Sequence, residues 1–155
     1  MGNISVGNPD FFLDKVFSLV DAAEVHEKYL FLNTIREIII HNPICLRPFV
    51  AKLLPLLIEQ AKNSEEQIRG IVAENLGRLF IYYSTEMSSL LEAAFKSSNV
   101  FERETITKSF KYGASKDTNN FDLSQFIEYL IRSISDDDIN VRRYALESLT
   151  AITYV

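Results

Sequence analysis

The side chains best suited to catalysis or metal binding are few in this sequence and are widely separated. The two histidines, His26 and His41, both lie in predicted helices. His26 is predicted to be exposed, and His41 is predicted to end a helix, where the dipole favours a cation. The single cysteine, Cys45, lies in an apolar context that predicts a buried, unreactive thiol in a reducing intracellular setting. None of these residues indicates a catalytic constellation.

Two acidic runs could in principle hold a metal ion. A calcium loop needs alternating carboxylates, a glycine at its sixth position and a glutamate at its twelfth. In the run that begins at Asp136, Glu147 occupies the twelfth position, but Val141 stands where the glycine belongs. The run that begins at Asp117 also lacks that glycine. These aspartates are therefore predicted to cap helix N-termini.

Other signatures of enzymes and of ligand-binding proteins are missing from the sequence. It contains neither a phosphate-binding glycine loop nor a Gly-x-Ser-x-Gly turn. We therefore predict a protein that is not an enzyme, with no catalytic residue, cofactor, metal or small-molecule substrate.

Charge and hydropathy argue against two further classes of partner. The net charge is −5, and no cluster of basic residues is longer than the pair Arg142-Arg143, so no nucleic-acid partner is predicted. No apolar run approaches the roughly 20 residues needed to cross a bilayer, so no membrane partner is predicted either.

A helical pattern recurs along the chain and must position any functional residue. Residues 65–79, EEQIRGIVAENLGRL, place their apolar side chains on one face of a helix. Gly77 lies within this segment and predicts that a neighbouring backbone comes close. The copies are spaced by 34, 41, 34 and 39 residues, as in helical-hairpin repeats. The corresponding positions are Met1, Ile35, Leu76, Phe110 and Leu149.

This pattern predicts an all-α, HEAT-repeat α-solenoid segment of about four antiparallel helical hairpins. Residues 1–155 form one segment, in which 1–7 end a preceding repeat and the hairpins occupy 9–42, 43–83, 84–115 and 120–155. Pro55 predicts a kink, residues 64–67 predict a capping box, and a helix is predicted to end near Tyr83 before another at 85–97. The ends lack the polar face of a solenoid cap, which predicts a piece of a longer rod.

The charged residues of the second helices are predicted to share the concave side of the solenoid. A merely solvated face is the alternative for any single residue. For the surface as a whole, protein binding is favoured, because solenoids present such arrays to partners. The predicted protein-binding residues are Arg36, Glu37, Glu74, Arg78, Lys108, Lys111, Arg143 and Glu147.

Three arginines share one repeat position near the start of second helices. They are Arg69, Arg103 and Arg142. Pairing with carboxylates of the adjacent repeat is favoured over contact with a partner.

Several motifs resemble a known family. Asp138, Val141-Arg142 and Ala145 match the pattern between HEAT repeats. The runs GNISVGN, EEQIRGIVAENLGRL and SDDDINVRRYALESL resemble, in this order, repeats in the C-terminal half of the cullin-associated, neddylation-dissociated (Cand) family.

The resemblance implies a function that composition alone does not. Cand proteins wrap unneddylated cullin–RING ubiquitin ligases and promote exchange of substrate-receptor modules, in the cytoplasm and nucleus. The implied partner is thus a cullin–RING ligase scaffold. The alternatives are a HEAT-repeat segment of a transport receptor or phosphatase scaffold and, less favoured, a helical enzyme or metal-binding domain.

Overall fold

The computed structural model of the chain describes residues 9–114 and 124–153. In these ranges the chain forms seven α-helices, one 3-10 segment and no strand. The prediction of an all-α, HEAT-like segment is confirmed. The predicted end of a preceding repeat at 1–7 and the polar loop near residue 117 lie outside the described residues. The elements are α1 (Pro9–Leu19), α2 (Val25–His41), the 3-10 segment (Pro43–Phe49), α3 (Val50–Gln60), α4 (Glu66–Phe95), α5 (Val100–Gly113), α6 (Ser124–Ser133) and α7 (Ile139–Thr153).

The second helices of successive hairpins pack side by side. Helix α2 contacts α4, α4 contacts α5, and α5 contacts α7. Helix α3 packs on α4, and α6 packs on α7, as the first and second helices of a hairpin do. Each hairpin thus packs mainly on its neighbours in sequence, which is the organisation of a solenoid.

An aromatic cluster joins the last three hairpins. The ring of Phe80 meets the rings of Phe110 and Phe126 edge-on, with centroids 5.3 and 5.0 Å away. Phe95 stacks on Tyr129 at 5.3 Å. Such pairs add about 0.5–1.5 kcal/mol each beyond the area they bury. This cluster explains how the third hairpin, whose helical pattern is weak in the sequence, is held in the stack.

Buried polar contacts also link the stacked second helices. The side-chain amide of Asn75 in α4 donates to the carbonyl of Leu32 in α2 at 2.9 Å. The hydroxyl of Ser148 in α7 donates to the carbonyl of Thr107 in α5 at 2.7 Å. A buried polar group is costly unless it is hydrogen-bonded, so these contacts fix how the neighbouring helices align.

A pair of glycines allows α4 and α5 to approach closely, as Gly77 predicts. A Cβ atom on Gly77 would lie 2.2 Å from the carbonyl oxygen of Ser109 and 3.1 Å from the backbone nitrogen of Gly113. A Cβ atom on Gly113 would lie 3.0 Å from the carbonyl oxygen of Gly77. The two backbones therefore pack directly against each other at this crossing.

The chain bends at Tyr83, where the sequence predicts a break between two helices. The predicted break is confirmed: two helices meet at a kink within α4, which runs from Glu66 to Phe95 with one non-helical residue, Tyr83, at φ −133° and ψ 34°. The Tyr83 hydroxyl donates to the carbonyl oxygen of Pro43 at 2.7 Å. This hydrogen bond ties the bend to the start of the 3-10 segment.

Replacing Tyr83 with phenylalanine is expected to lower the free energy of unfolding by about 1 kcal/mol, because the Pro43 carbonyl loses its donor. Urea unfolding followed by circular dichroism measures this change. Tyr82→Phe is the matched control, since Tyr82 is 51% exposed. Equal stability of the two variants would contradict a role for the Tyr83 hydroxyl.

Two local predictions need correction. The capping box over residues 64–67 is wrong, because the N-cap of α4 is Glu65 and no side chain bonds there as a cap. The Glu65 amide instead donates to the side-chain oxygen of Asn63 at 3.0 Å. The predicted broken helix of the second hairpin is a 3-10 segment followed by α3, with Pro55 inside α3.

Candidate protein-interaction surface

Arg69, Arg103 and Arg142 fold back in the same way onto the turns before their own helices. In each case one guanidinium nitrogen lies 2.7–3.4 Å from two successive backbone carbonyl oxygens. The acceptors are Asn63 and Ser64, Ser97 and Ser98, and Asp136 and Asp137. The arginine at this repeat position thus stabilises the turn before its helix in all three repeats.

Two of these arginines also reach the next repeat, as predicted. Arg103 donates two hydrogen bonds to the carboxylate of Asp136, at 2.9 and 3.0 Å. These bonds hold the pKa of Asp136 below its ordinary value. Arg69 lies 3.5 Å from the Glu104 carboxylate. Burial raises the pKa of Glu104 above its ordinary value, although Arg69 acts in the opposite direction. These pairs link the second hairpin to the third and the third to the fourth.

Of the two acidic runs, the one at Asp117 lies outside the described residues, and the aspartates of the run at Asp136 serve the helices instead of a metal. The Asp138 carboxylate accepts from the amides of Asn140 and Val141 at 2.8 and 3.1 Å, which caps α7 as predicted. The Asp136 carboxylate accepts hydrogen bonds from the Arg103 side chain and from the Asp138 amide. Among the residues that the structure describes, no group of three or more possible ligands is placed to hold a metal ion.

The remaining candidates for chemistry lie on the surface. His41 is the last residue of α2, as predicted, and its Nε2 lies 3.6 Å from the Glu37 carboxylate. His26 is exposed, also as predicted, whereas Cys45 is only partly buried and donates to the Asn42 carbonyl. Within residues 9–114 and 124–153, no helix is long and apolar enough to cross a membrane.

The eight predicted binding residues all lie on second helices and form two groups. The first, which we call the balanced cluster, consists of Arg36, Glu37, Glu74 and Arg78. Arg36 lies 2.9 Å from Glu37 and 3.6 Å from Glu74, and Arg78 lies 2.9 Å from Glu74. Two cations and two carboxylates bridge α2 and α4, and the hydrogen bond from Arg36 lowers the pKa of Glu37.

The second group surrounds the ring of Tyr144, a residue that sequence reasoning missed. We call Lys108, Lys111, Arg143, Tyr144 and Glu147 the Tyr144 cluster. Three cations lie over the ring, with the Lys108 and Lys111 nitrogens 4.8 and 5.6 Å and the Arg143 guanidinium carbon 4.7 Å from its centroid. Glu147 lies 3.0 Å from Lys111 and 3.9 Å from Arg143.

One signal for this second group was present in the sequence. Tyr144 directly follows two arginines and lies three residues before Glu147, which places an aromatic ring among charges on one helix. Lys108 and Lys111 of α5 reach Tyr144 because of the way in which α5 aligns with α7. The sequence does not reveal that alignment.

Stacked helical hairpins place the chain in the class of HEAT-like helical-repeat proteins. No protein-family model matches the chain. It is 32% identical over 162 residues to cullin-associated NEDD8-dissociated protein 1 of Dictyostelium discoideum, and 28% identical over 160 residues to the protein of that name from Arabidopsis thaliana. These alignments cover 99% of this chain.

A mouse relative agrees with these two. Cullin-associated NEDD8-dissociated protein 2 of Mus musculus is 28% identical over 149 residues, which is 94% of this chain. The chain spans only 12–13% of the length of these relatives. The resemblance to the Cand family is confirmed, and the chain matches one segment of such a protein.

Proposed function

We propose that this chain is a non-enzymatic scaffold segment through which a cullin-associated regulator binds a cullin–RING ubiquitin ligase. The observation that carries this proposal is the extent of the similarity, since relatives named for cullin association align over 94–99% of the chain. The finer part of the proposal is what the resemblance to the Cand family implies. The segment lies in the C-terminal half of a parent protein that wraps the unneddylated ligase and promotes exchange of substrate-receptor modules, in the cytoplasm and nucleus.

The charged surface formed by the second helices supports a role of this segment in binding the partner. The balanced cluster and the Tyr144 cluster lie on helices that pack in series, so one partner could contact several repeats at once. Their charged side chains remain partly exposed although most of them are paired. Ordered, partly desolvated charges favour specific recognition, because less side-chain freedom is lost on binding.

A capture experiment with the full-length parent tests this proposal. Reversal of Arg36, Arg78, Lys108 and Arg143 to glutamate is expected to weaken capture of a cullin–RING complex by at least about tenfold, because attraction at the interface becomes repulsion. The melting temperature is measured alongside to verify that the variant folds.

A matched variant controls for net charge. It reverses four exposed cations at the first helices, Lys15, Lys52, Lys96 and Arg132, and is expected to capture the cullin normally. Unchanged capture by the second-helix variant would contradict the proposal and make the segment a spacer. An equal loss in both variants would point to bulk charge.

A further inference from the structure

We propose that the Tyr144 cluster is a docking site for an acidic segment of the bound protein, one that carries several aspartate or glutamate side chains. This inference rests on the proposed function, in that the segment would belong to the partner captured by the second-helix surface. It assigns to one part of that surface a definite partner chemistry.

The Tyr144 cluster carries an excess of positive charge. In the part of the chain that the structure describes, Glu147 is the only carboxylate paired with the three cations, and it contacts Lys111 and Arg143. Lys108 forms no ion pair there and lies over the Tyr144 ring, and the Glu104 carboxyl, which is paired with Arg69, acts on it only at longer range. The cluster therefore has three positive charges and one negative charge, whereas the charges of the balanced cluster cancel.

The three cations of the Tyr144 cluster gather around a single ring. All three lie within 5.6 Å of one ring centroid. The Debye length at physiological ionic strength is about 8 Å, so the solvent screens their mutual repulsion only in part. A carboxylate placed among them would relieve that repulsion and gain attraction from more than one cation.

The side chains of the Tyr144 cluster are already ordered before a partner binds. Tyr144 is only 5% exposed, so packing fixes its ring. The ring in turn holds the cations, each by a cation–π contact. A ligand would thus find the cations in place, and less entropy is lost when it binds.

The chemistry of the cluster favours an acidic protein segment over a nucleic acid. Single-stranded nucleic acids bind by stacking bases on exposed aromatic faces, and the Tyr144 ring is buried beneath its cations. The Glu147 side chain is 42% exposed within the cluster and would repel a continuous phosphate backbone. Separate carboxylates on a peptide can pair with individual cations and avoid Glu147.

Fluorescence anisotropy with this chain and a short labelled peptide of alternating glutamate and glycine tests the site. The probe is expected to bind at low salt and to weaken as salt rises. Changing Lys108, Lys111 and Arg143 together to glutamine is expected to weaken its binding by at least about tenfold. The matched control changes three exposed cations at the first helices, Lys15, Lys52 and Arg132, to glutamine and is expected to alter the affinity by less than about twofold.

Lys108→Gln alone provides a second measurement that does not depend on the stability of the triple variant. Because Lys108 forms no ion pair in the described part of the chain, its loss should leave folding intact and weaken peptide binding by about threefold. No peptide binding at low salt, undiminished binding to the triple variant, or tighter binding of a single-stranded oligonucleotide than of the peptide would each overturn the inference.

This assay can fail independently of the proposed function. It contains no cullin, so a negative result removes the acidic docking site and leaves the capture experiment with the full-length parent to judge cullin binding. Conversely, normal cullin capture by the four-residue variant would remove the proposed function without changing the affinity of the peptide for this chain.

Discussion

Replacing Gly77 with alanine is expected to lower the free energy of unfolding by about 3 kcal/mol, the upper end of the cost of overpacking a core. The new methyl group would lie 2.2 Å from the Ser109 carbonyl oxygen and 3.1 Å from the Gly113 nitrogen. Both are backbone atoms, so no side chain can rotate away. Helices α4 and α5 would have to separate, and the contacts between them would loosen.

Gly70→Ala is the matched control, because Gly70 lies in the same helix and has open space around it. A Cβ atom on Gly70 would meet nothing within 4 Å. Alanine is a better helix former than glycine by about 1 kcal/mol, so this variant should be more stable than the natural chain. Urea unfolding should therefore give opposite signs for two identical substitutions in one helix. A stable Gly77→Ala variant would contradict the close approach of α4 and α5.

The crossing at Gly77 also connects stability to the interaction surface. Arg78 of the balanced cluster follows Gly77 directly, while Lys108 and Lys111 lie beside Ser109 on α5. The distance between the backbones of α4 and α5 therefore determines how the balanced cluster is placed relative to the Tyr144 cluster. A variant that widens this crossing would change the spacing of charges offered to a partner without altering a charged residue.

The fold could be predicted because its determinants are local and repeated. The helical spacing of apolar residues and the interval of 34–41 residues between copies follow from the sequence alone. The break at Tyr83 could be predicted as well, but its form as a kink could not, because the helical pattern on either side is compatible with a loop or with a bent helix. The hydrogen bond to Pro43, forty residues away, ties this kink to the 3-10 segment, and the helical pattern does not reveal that contact.

The residues of the surface could be predicted, but their grouping could not. Repeat position identifies which charged side chains leave the core, and the same reasoning predicts that Arg103 meets a carboxylate of the next hairpin. Which cation meets which carboxylate depends on the offset between stacked helices. Buried contacts such as that from Ser148 to the Thr107 carbonyl help to set this offset, and the composition of a single helix does not reveal it.

Changing Arg103 to methionine is expected to lower the free energy of unfolding at neutral pH by about 2–4 kcal/mol. The substitution leaves the Asp136 carboxylate, whose side chain is only 14% exposed, without its bidentate partner. It also removes the donor to the carbonyls of Ser97 and Ser98. Arg132→Met is the control, because Arg132 and its partner Glu128 are 67% and 71% exposed, and it should change stability by less than about 0.5 kcal/mol.

The pH dependence of this loss separates the ion pair from the carbonyl contacts. Arg103 holds the folded-state pKa of Asp136 below the value of about 3.9 expected in the unfolded chain. A carboxylate with a lowered folded pKa contributes stability that is fully present above its unfolded pKa and is lost as the pH falls through its folded pKa. The difference between the natural chain and Arg103→Met should therefore stay constant from neutral pH to about pH 5 and shrink below about pH 4. A difference that persists undiminished in acid would mean that Arg103 stabilises the chain through the Ser97 and Ser98 carbonyls, and that the link to the next hairpin contributes little.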